Sequence, residues 1–431
     1  MRTVRTIKGT IRAGAKRWLW GILLVAGVLC AAQDAGALVY IDISRPPRKL
    51  PLALQPFTGS HGREISGIVL DDLTFSGLFE PLDPEAFLEG PGEAFRRSDW
   101  TGIGAELVVK GSVTAGEQLQ VAVAVYDVFE GRAVMQKQYR ADASLLRPLA
   151  HEISNDIYET VTGHQGVFRT KVAYVVHGKS SRRLFVADWD GKRKRDLKVG
   201  GRLLLAPHWS PAGDALVYSA ERGRKWGIHL LDLRRMKESL VFSSGGTDIA
   251  GDFFPDGKSF TFSSSREGTP DLYRYDLSRR KLTRITSGPG IEVSPTVSPR
   301  GDRVAFVSDR GGTPQIYSID PFGYNRVRLT FEGNYNTSPS WSPGGDTVAF
   351  SGRYEGRNHI FIVRTDGSGL RRLTDAGNNE EPSFSPDGRF IVFTSDRDGY
   401  KSIYVMRSDG GGQMRISPPG LKASSPRWSP K

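Results

Sequence analysis

Alternating apolar and polar positions mark two strands within residues 337–377. One run covers residues 347–351 and the other residues 359–364, and a short strand at Ser340 and Trp341 precedes them. Turn residues separate these runs: a Pro-Gly-Gly-Asp turn at 343–346, a loop at 353–358, and an Asp-Gly hairpin turn at 366–367 before a fourth strand at 370–374. Four strands in about 40 to 45 residues is the period of a β-propeller blade.

The prolines that mark this pattern return at a nearly constant spacing of 44 residues, with one interval of 43. They are Pro211, Pro255, Pro299, Pro343, Pro386 and Pro430. The first blade begins near Phe168 but lacks the strand that opens the other blades. Residues 426–430, Pro-Arg-Trp-Ser-Pro, have the sequence of that strand, and the rest of a blade does not follow them. We therefore expect the C-terminal strand to complete the first blade and to close a six-bladed ring.

The repeat also contains aromatic and acidic positions that could suggest a chemical site. Two residues before each proline stand Trp209, Phe253, Val297, Trp341, Phe384 and Trp428. We interpret this position as packing between blades rather than as an aromatic ligand cage. The recurrent acidic residues Asp214, Asp302, Asp346 and Asp387 lie in turns, where aspartate bonds to nearby backbone, so we assign them to turns rather than to catalysis.

Antiparallel strands place the longer, variable connections on one face of the ring. These are residues 245–251, 287–294, 331–338 and 375–381, together with the loops 309–314 and 396–400. The short, uniform Ser-Pro-x-Gly and Asp-Gly turns are expected on the opposite face. Variable loops on a rigid scaffold are where binding is expected.

Residues 50–165 lack the 44-residue period. Apolar spacing predicts a helix over 64–78 and another over 146–161 that stops at Gly163, and alternation predicts strands over 106–113, 118–129 and 133–140. The sequence thus predicts a mixed fold, a small N-terminal α/β domain over 50–165 followed by an all-β six-bladed β-propeller over 166–431.

Residues 1–37 have the pattern of an export signal. Six basic residues and no acidic one precede residue 18, and an apolar run of 13 covers residues 18–30. This run is shorter than the roughly 20 residues of a membrane-spanning helix. The small residues Ala35 and Ala37 predict cleavage after Ala37. We expect an exported protein with no direct membrane span.

Residues 38–49 are interpreted as an N-terminal arm and a basic, proline-containing spacer. The arm is a strand-forming run made of Leu38, Val39, Tyr40, Ile41, Asp42 and Ile43. It is either an edge strand of the domain's own sheet or an arm that adds as a strand to a partner's sheet.

Charge and chemistry narrow the functional classes. Removal of residues 1–37, with six basic residues and one acidic residue, lowers the net charge from +12 to +7 and removes the only cysteine, Cys30. The remaining chain has no nucleophile elbow, no phosphate-binding loop and no histidine pair at metal-ligand spacing. We expect no catalytic, cofactor or metal site. The basic run 192–195 follows a turn without flanking aromatics, so we expect no nucleic-acid partner.

The junction Gly-Val-Phe-Arg-Thr-Lys-Val-Ala-Tyr-Val at 166–175, the Pro-x-Trp-Ser-Pro repeats and the terminal Trp-Ser-Pro resemble the TolB family of the Tol-Pal cell-envelope system. The resemblance implies a periplasmic, monomeric scaffold without catalytic activity that acts in outer-membrane integrity and in constriction during cell division. It implies that the propeller loops bind the outer-membrane lipoprotein Pal and that the arm, residues 38–43, binds the inner-membrane protein TolA. The lipoprotein-facing residues would be Thr247, Ala250, Glu292, Val293, Asn336, Thr337, Glu380 and Glu381.

Two other functional classes stay open from the sequence. A hydrolase of the prolyl-peptidase type needs a catalytic domain with a nucleophile elbow, and only about 125 residues of the mature chain lie outside the propeller. A propeller that binds a sugar or peptide ligand would hold a small molecule without any protein partner.

Overall fold

The computed structural model describes residues 48–431, so the predicted export signal and the arm, residues 38–43, lie outside the described residues. Residues 50–162 form one five-stranded sheet with helices packed on it. Its elements are β1 (Leu50–Leu54), α1 (Gly62–Phe75), β2 (Phe79–Pro81), α2 (Arg97–Thr101), β3 (Leu107–Ala115), β4 (Leu119–Asp127), β5 (Arg132–Ala141) and α3 (Leu146–Thr162). The strand order is β2-β1-β3-β4-β5, with β1 parallel to both neighbours and the other pairs antiparallel.

Helix α3 shows how the sequence pattern becomes packing. Its apolar residues recur every three or four positions, and Leu149, Ile153 and Ile157 are buried in the core shared with α1 and the sheet. The helix ends at Gly163, which has a φ of 71° and donates its backbone N–H to the Glu159 carbonyl. The predicted helix and its glycine stop are therefore confirmed.

The central strand β1 was not predicted from the sequence. Its sequence, Leu-Pro-Leu-Ala-Leu, does not alternate, and Pro51 would ordinarily argue against a strand between two others. Leu52 and Ala53 are fully buried. A short parallel strand buried on both faces lacks the alternation that identifies strands.

Residues 171–428 form six antiparallel sheets of four strands each. Blade one contains β6 (Lys171–His177), β7 (Arg182–Asp188), β8 (Arg195–Gly201) and the C-terminal β29 (Ala423–Trp428). Blade two contains β9 (Leu203–Trp209), β10 (Ala215–Arg222), β11 (Lys225–Asp232) and β12 (Lys237–Phe242). Blade three contains β13 (Asp248–Phe253), β14 (Ser259–Ser264), β15 (Asp271–Asp276) and β16 (Lys281–Arg284).

The remaining three blades repeat this order. Blade four contains β17 (Glu292–Val297), β18 (Val304–Ser308), β19 (Gln315–Ile319) and β20 (Val327–Arg328). Blade five contains β21 (Asn336–Trp341), β22 (Thr347–Tyr354), β23 (Arg357–Arg364) and β24 (Arg371–Arg372). Blade six contains β25 (Asn379–Phe384), β26 (Phe390–Ser395), β27 (Ser402–Arg407) and β28 (Met414–Arg415). The predicted mixed fold with a six-bladed propeller is confirmed.

Blade five departs from the prediction in two details. The residues expected to form a loop at 353–358 instead extend β22 and β23, which are joined by a turn at Glu355 and Gly356 with φ values of 48° and 80°. Two residues with positive φ match the turn that suits a tight hairpin. The predicted fourth strand shrinks to Arg371 and Arg372.

The blades pack through the recurrent apolar position before each proline. Phe253, Val297, Trp341 and Trp428 are buried, and Trp209 and Phe384 are partly buried. The Trp341 indole N–H donates to the Thr296 carbonyl of blade four at 3.1 Å, and the Trp209 indole N–H donates to the Arg427 carbonyl of blade one at 3.1 Å. The predicted packing between blades is therefore confirmed.

The recurrent turn aspartates have a slightly different role from the one expected. Asp214, Asp302 and Asp346 accept a hydrogen bond from the serine hydroxyl four residues earlier, at 2.8, 2.8 and 2.9 Å. That hydroxyl in turn accepts a backbone N–H, as Ser342 does from Thr347 at 3.1 Å. These three aspartates stabilise their turns through the serine, whereas Asp387 also accepts the Arg389 backbone N–H directly at 3.1 Å, as predicted.

Within residues 48–431, no helix is both long and apolar enough to cross a bilayer.

Candidate functional site

Strand register determines which connections share a face of the propeller. We call the strand of each blade that contains the recurrent apolar position before the proline its inner strand; in blade four this is β17. It begins at Glu292, which pairs with Ser308 at the end of β18. Ser308 pairs in turn with Gln315 at the start of β19. The connection before β17 and the loop between β18 and β19 therefore lie at the same end. We call this end of the six blades the loop mouth.

Each inner strand contains a β-bulge near the loop mouth. The bulge places a non-glycine residue at positive φ in five blades: Ala206, Ser294, Ser338, Glu381 and Ser425, with φ between 49° and 58°. Each of them precedes a proline. Such strained backbone is uncommon outside glycine and clusters at functional sites.

Two of the bulge residues, Glu381 and Ser425, are held by hydrogen bonds between neighbouring blades. The backbone N–H of Glu381 donates to the Ser351 hydroxyl of blade five at 3.1 Å. The Glu381 carboxylate accepts from the Ser425 backbone N–H at 2.6 Å and from the Ser425 hydroxyl at 2.8 Å. The loop mouth is thus a firmly constructed surface.

A buried polar residue begins the inner strand in four of the blades, at spacings of 44, 44 and 43 residues: Asp248, Glu292, Asn336 and Asn379. Asp248 accepts from the Ser244 backbone N–H at 2.7 Å. The Asn336 side-chain amide donates to the Gln315 side-chain oxygen at 2.8 Å and to the Glu332 carbonyl at 2.9 Å. These side chains join the connection before the inner strand to the loop beside it.

Glu292 is the residue at this repeat position in blade four, and its side chain is a carboxylate. It is 1% exposed, pairs with the guanidinium of Arg310, and lies 3.9 Å from the guanidinium of Arg326. The surrounding arginines compensate the buried carboxylate. Glu292 therefore supports the loops instead of presenting its carboxylate to solvent.

The structure brings all eight sequence-predicted contact residues to the loop mouth, with different accessibility. Thr247 is exposed, and Val293, Thr337, Glu380 and Glu381 are half-buried. Ala250, Glu292 and Asn336 are buried. The first five are accessible to solvent, Ala250 packs in the core of blade three, and Glu292 and Asn336 position the loops.

Glu380 is already paired within the chain. Its carboxylate accepts from Lys401 Nζ at 2.6 Å and from the Asn358 side-chain amide at 2.9 Å. Burial alone would lower the pKa of Lys401, but the hydrogen bond and charge of Glu380 raise it. A partner at this point would meet a neutral ion pair rather than an isolated negative charge.

Two exposed apolar residues at the loop mouth were missed by sequence reasoning. Ile291 is 46% exposed and Tyr335 is 40% exposed. With Thr247 they occupy one repeat position, 44 residues apart, directly before the buried polar residue. The Tyr335 ring lies 5.4 Å from the Arg353 guanidinium. The repeat spacing was the signal that would have identified them.

The inner strands also carry a polar contact that spans three blades. Asp252 of blade three accepts hydrogen bonds from His208 of blade two and Thr296 of blade four. Burial works to raise the pKa of Asp252, but His208, Arg427 and Thr296 outweigh it and lower that pKa to about 2. Burial lowers the pKa of His208. The Asp252 carboxylate is therefore ionised, and it accepts the hydrogen bond from His208 Nδ1.

An open cleft of about 490 Å³ lies in the α/β domain. Its lining residues are Pro56, Phe57, Thr58, Gly59, His61, Gly62, Arg63, Glu64 and Pro91. The cleft involves none of the loop-mouth residues.

The fold also assembles three potential metal ligands that sequence spacing did not suggest. His151 of α3 lies close to Asp188 and Asp190 of blade one, with ligand atoms within 4.8 Å of one another. Because His151 and Asp188 are 37 positions apart and belong to different domains, no local motif could have connected them.

Comparison with known proteins gives two matching family models. The TolB beta propeller domain matches residues 158–431, and the TolB amino-terminal domain matches residues 39–134. The first match alone covers more than half of the chain.

Individual relatives agree with these matches. The chain is 33% identical over 252 residues to the Tol-Pal system protein TolB of Alcanivorax borkumensis, covering 55% of this chain and 58% of the relative. It is 33% identical over 243 residues to the protein of the same name from Nitrosococcus oceani, covering 53% and 56%. The chain therefore spans just over half the length of these curated relatives.

A solved structure covers more of the molecule. The crystal structure of TolB from Acinetobacter baumannii has a TM-score of 0.83 and 29% identity, covering 90% of this chain and 98% of that one. The nidogen/laminin complex, at 8% identity and a TM-score of 0.50, shares the propeller fold alone.

Proposed function

This chain belongs to the TolB family, and on that premise we propose that it is a non-enzymatic scaffold of the Tol-Pal system in the periplasm. In this role it links the outer-membrane lipoprotein Pal to the inner-membrane Tol complex, and so supports outer-membrane integrity and constriction during division. The relatives named Tol-Pal system protein TolB support the assignment to this system.

Pal binds at the loop mouth in this proposal. The main support for this proposal is that hydrogen bonds hold the loops of the loop mouth in place while some of their side chains are exposed to solvent. Buried polar residues and the hydrogen-bonded β-bulges hold the backbone in place. Ile291 and Tyr335 expose apolar surface at the same end of the blades. A preformed surface loses little conformational entropy on binding, and aromatic side chains are frequent energetic centres of interfaces.

The accessible predicted residues lie at the same end of the blades as these two apolar groups. Thr247, Val293, Thr337, Glu380 and Glu381 are exposed or half-buried at the same end of the blades. A polar border around apolar contacts is the usual arrangement in protein interfaces. Glu292 and Asn336 contribute by holding the loops, and Ala250 contributes to the core of blade three.

We assign no catalytic activity to the chain. The α/β domain has a mixed sheet of five strands, in which β1 pairs in parallel with β2 and β3, and its residues contain no nucleophile elbow. The prolyl-peptidase alternative would need such an elbow. A ligand-binding propeller remains the second candidate, and the binding experiment below distinguishes it.

The experiment is a titration of the purified mature chain with Pal that lacks its lipid anchor. Tyr335→Ala should raise Kd at least tenfold, since truncation of an energetically dominant interface residue costs about 2 kcal/mol or more and about 1.4 kcal/mol corresponds to a factor of ten. Phe322→Ala is the matched control. Phe322 is an exposed aromatic in the turn between β19 and β20, at the opposite end of the blades, and its truncation should leave Kd unchanged.

Two results would contradict the proposal in different ways. Absence of Pal binding by the wild-type chain would reject the scaffold function and favour a small-ligand propeller. Equal affinity of the Tyr335 and Phe322 variants would keep the scaffold function and move the interface away from this part of the loop mouth.

A further inference from the structure

His151, Asp188 and Asp190 meet where the α/β domain contacts blade one. His151 lies on α3, Asp188 ends β7, and Asp190 belongs to the turn that follows β7. The potential ligand atoms of the three side chains all lie within 4.8 Å of one another. His151 and Asp188 are 2% and 4% exposed.

The imidazole of His151 has a defined orientation. Its Nδ1 lies 2.7 Å from Asp72 Oδ2 on α1, and both side chains are 2% exposed. With Nδ1–H donated to this carboxylate, Nε2 carries a lone pair directed toward blade one. A carboxylate that orients a histidine in this way is the usual second partner of a metal-bound imidazole.

Three buried side-chain atoms at this junction lack hydrogen-bond partners among residues 48–431: His151 Nε2, Asp188 Oδ2 and the indole Nε1 of Trp189. The carboxylate oxygen is an acceptor, and so is Nε2 in the tautomer that donates Nδ1–H to Asp72, whereas Trp189 Nε1 is a donor. An unsatisfied buried polar atom costs about 1–3 kcal/mol. Two such acceptors at one junction would be satisfied by a proton donor or a cation near them.

The distance between His151 Nε2 and Asp190 Oδ2 fits a shared metal ion better than a direct hydrogen bond. His151 Nε2 and Asp190 Oδ2 are 3.8 Å apart, which is too long for a direct hydrogen bond. Zinc binds imidazole nitrogen and carboxylate oxygen at about 2.0–2.2 Å. Two ligands of one ion therefore lie up to about 4 Å apart, which the separation of His151 Nε2 and Asp190 Oδ2 matches.

The surrounding cations limit the strength of such a site. Arg147 bonds to Asp190 Oδ2, Lys171 Nζ donates to Asp188 Oδ1 at 2.8 Å, and Arg193 lies 3.8 Å from Asp188 Oδ2. Asp188 Oδ2 is nevertheless free of hydrogen bonds. We expect binding that a chelator reverses, weaker than that of an all-cysteine structural zinc site.

We propose that His151 Nε2, Asp188 and Asp190 bind a divalent transition-metal ion, with zinc the class best suited to one imidazole and two carboxylates. Water completes the coordination. The ion joins α3 of the α/β domain to blade one and so stabilises the contact between them. The proposal is independent of Pal or TolA binding.

The test uses the untagged mature chain, stripped with chelator, equilibrated with Zn²⁺ and passed through a desalting column. Atomic emission should find one zinc per chain, and the melting temperature should rise with Zn²⁺. Asp188→Asn and His151→Gln should each abolish both effects. His164→Gln, which changes an exposed histidine just after α3, is the control and should retain both.

Cobalt(II) provides a readout on the wild-type chain that does not depend on the folding of a variant. Visible d–d absorption of a four- or five-coordinate ion is expected on addition of Co²⁺ and should disappear when zinc is added. Absence of retained zinc and of this absorption would reject the metal site, as would equal zinc retention by a folded Asp188→Asn chain. Those results would mean that a buried water molecule, or a proton on His151, satisfies His151 Nε2 and Asp188 Oδ2 instead of a metal ion.

Discussion

The Trp428 indole N–H donates a hydrogen bond of 2.7 Å to the Thr170 hydroxyl, which joins the last strand of the chain to the start of the first blade. The backbone reinforces this contact, because Ser429 N–H donates to the Lys171 carbonyl at 2.8 Å and β29 pairs along β6. Blade one is therefore complete only when the two ends of the propeller sequence meet.

Deletion of residues 426–431 should lower the melting temperature markedly, because it removes part of β29 and leaves β6 as an open edge. Trp428→Ala alone should cost roughly 3–5 kcal/mol through the cavity it leaves. Thermal denaturation measures the first effect and urea denaturation the second. Removal of Lys431 alone is the control, since this exposed residue lies beyond β29. An unchanged melting curve after the six-residue deletion would contradict closure through β29.

Much of this fold could be predicted because it repeats. The proline spacing gives the length of one blade. The missing first strand of the blade that begins near residue 168, and the single strand that begins at residue 426, indicate how the ring closes. Helix α3 was predictable because its apolar spacing and Gly163 agree. Strand β1 was not, because Leu50–Leu54 is buried on both faces and so lacks alternation.

The details of the candidate site depend on contacts that the sequence does not display. Glu292 looks like a surface carboxylate in a loop, and only the folded chain places Arg310 and Arg326 against it. His151 and Asp188 approach each other only after two domains have packed. Periodicity identifies the loops at the mouth of the propeller, whereas burial decides which of their residues are accessible.

Glu292→Lys should destabilise the protein rather than report on binding. The substitution places a third cation beside Arg310 and Arg326 in a buried site, and breaking a buried ion pair costs roughly 3–5 kcal/mol. Glu292→Gln should cost less, because it keeps the shape and an acceptor oxygen. Urea denaturation of both variants measures the difference. Equal stability of Glu292→Lys and wild type would show that this carboxylate reaches solvent.

Acid should weaken the propeller through Asp252. The pKa of this carboxyl is about 2 in the folded chain, against about 3.9 when unfolded. A lowered folded pKa stabilises the protein above the unfolded value, and that stabilisation is lost as pH falls from about 4 to 2. Since a third of the side chain reaches water, we expect a contribution of about 1–2 kcal/mol after allowance for screening.

The measurement is the free energy of unfolding between pH 2 and pH 6 for wild type and Asp252→Asn. The variant should lose less stability over this range than wild type. Asp256→Asn, at a more exposed turn position, should follow the wild-type curve. Parallel curves for wild type and Asp252→Asn would show that Asp252 titrates normally.

Deletion of the arm residues 38–43 should separate the two proposed partners. Both neighbours of β1 in the sheet are already occupied, by β2 and β3, so the deletion should leave circular dichroism and the melting temperature unchanged. Binding of TolA should be lost because the strand-forming run Leu-Val-Tyr-Ile-Asp-Ile is absent, and binding of Pal at the loop mouth should persist. Replacement of the six residues by a Gly-Ser sequence of equal length controls for spacing and should give the same result. Loss of the folded state in both variants would instead assign the run to the domain's own sheet, at the free edge of β2 or β5.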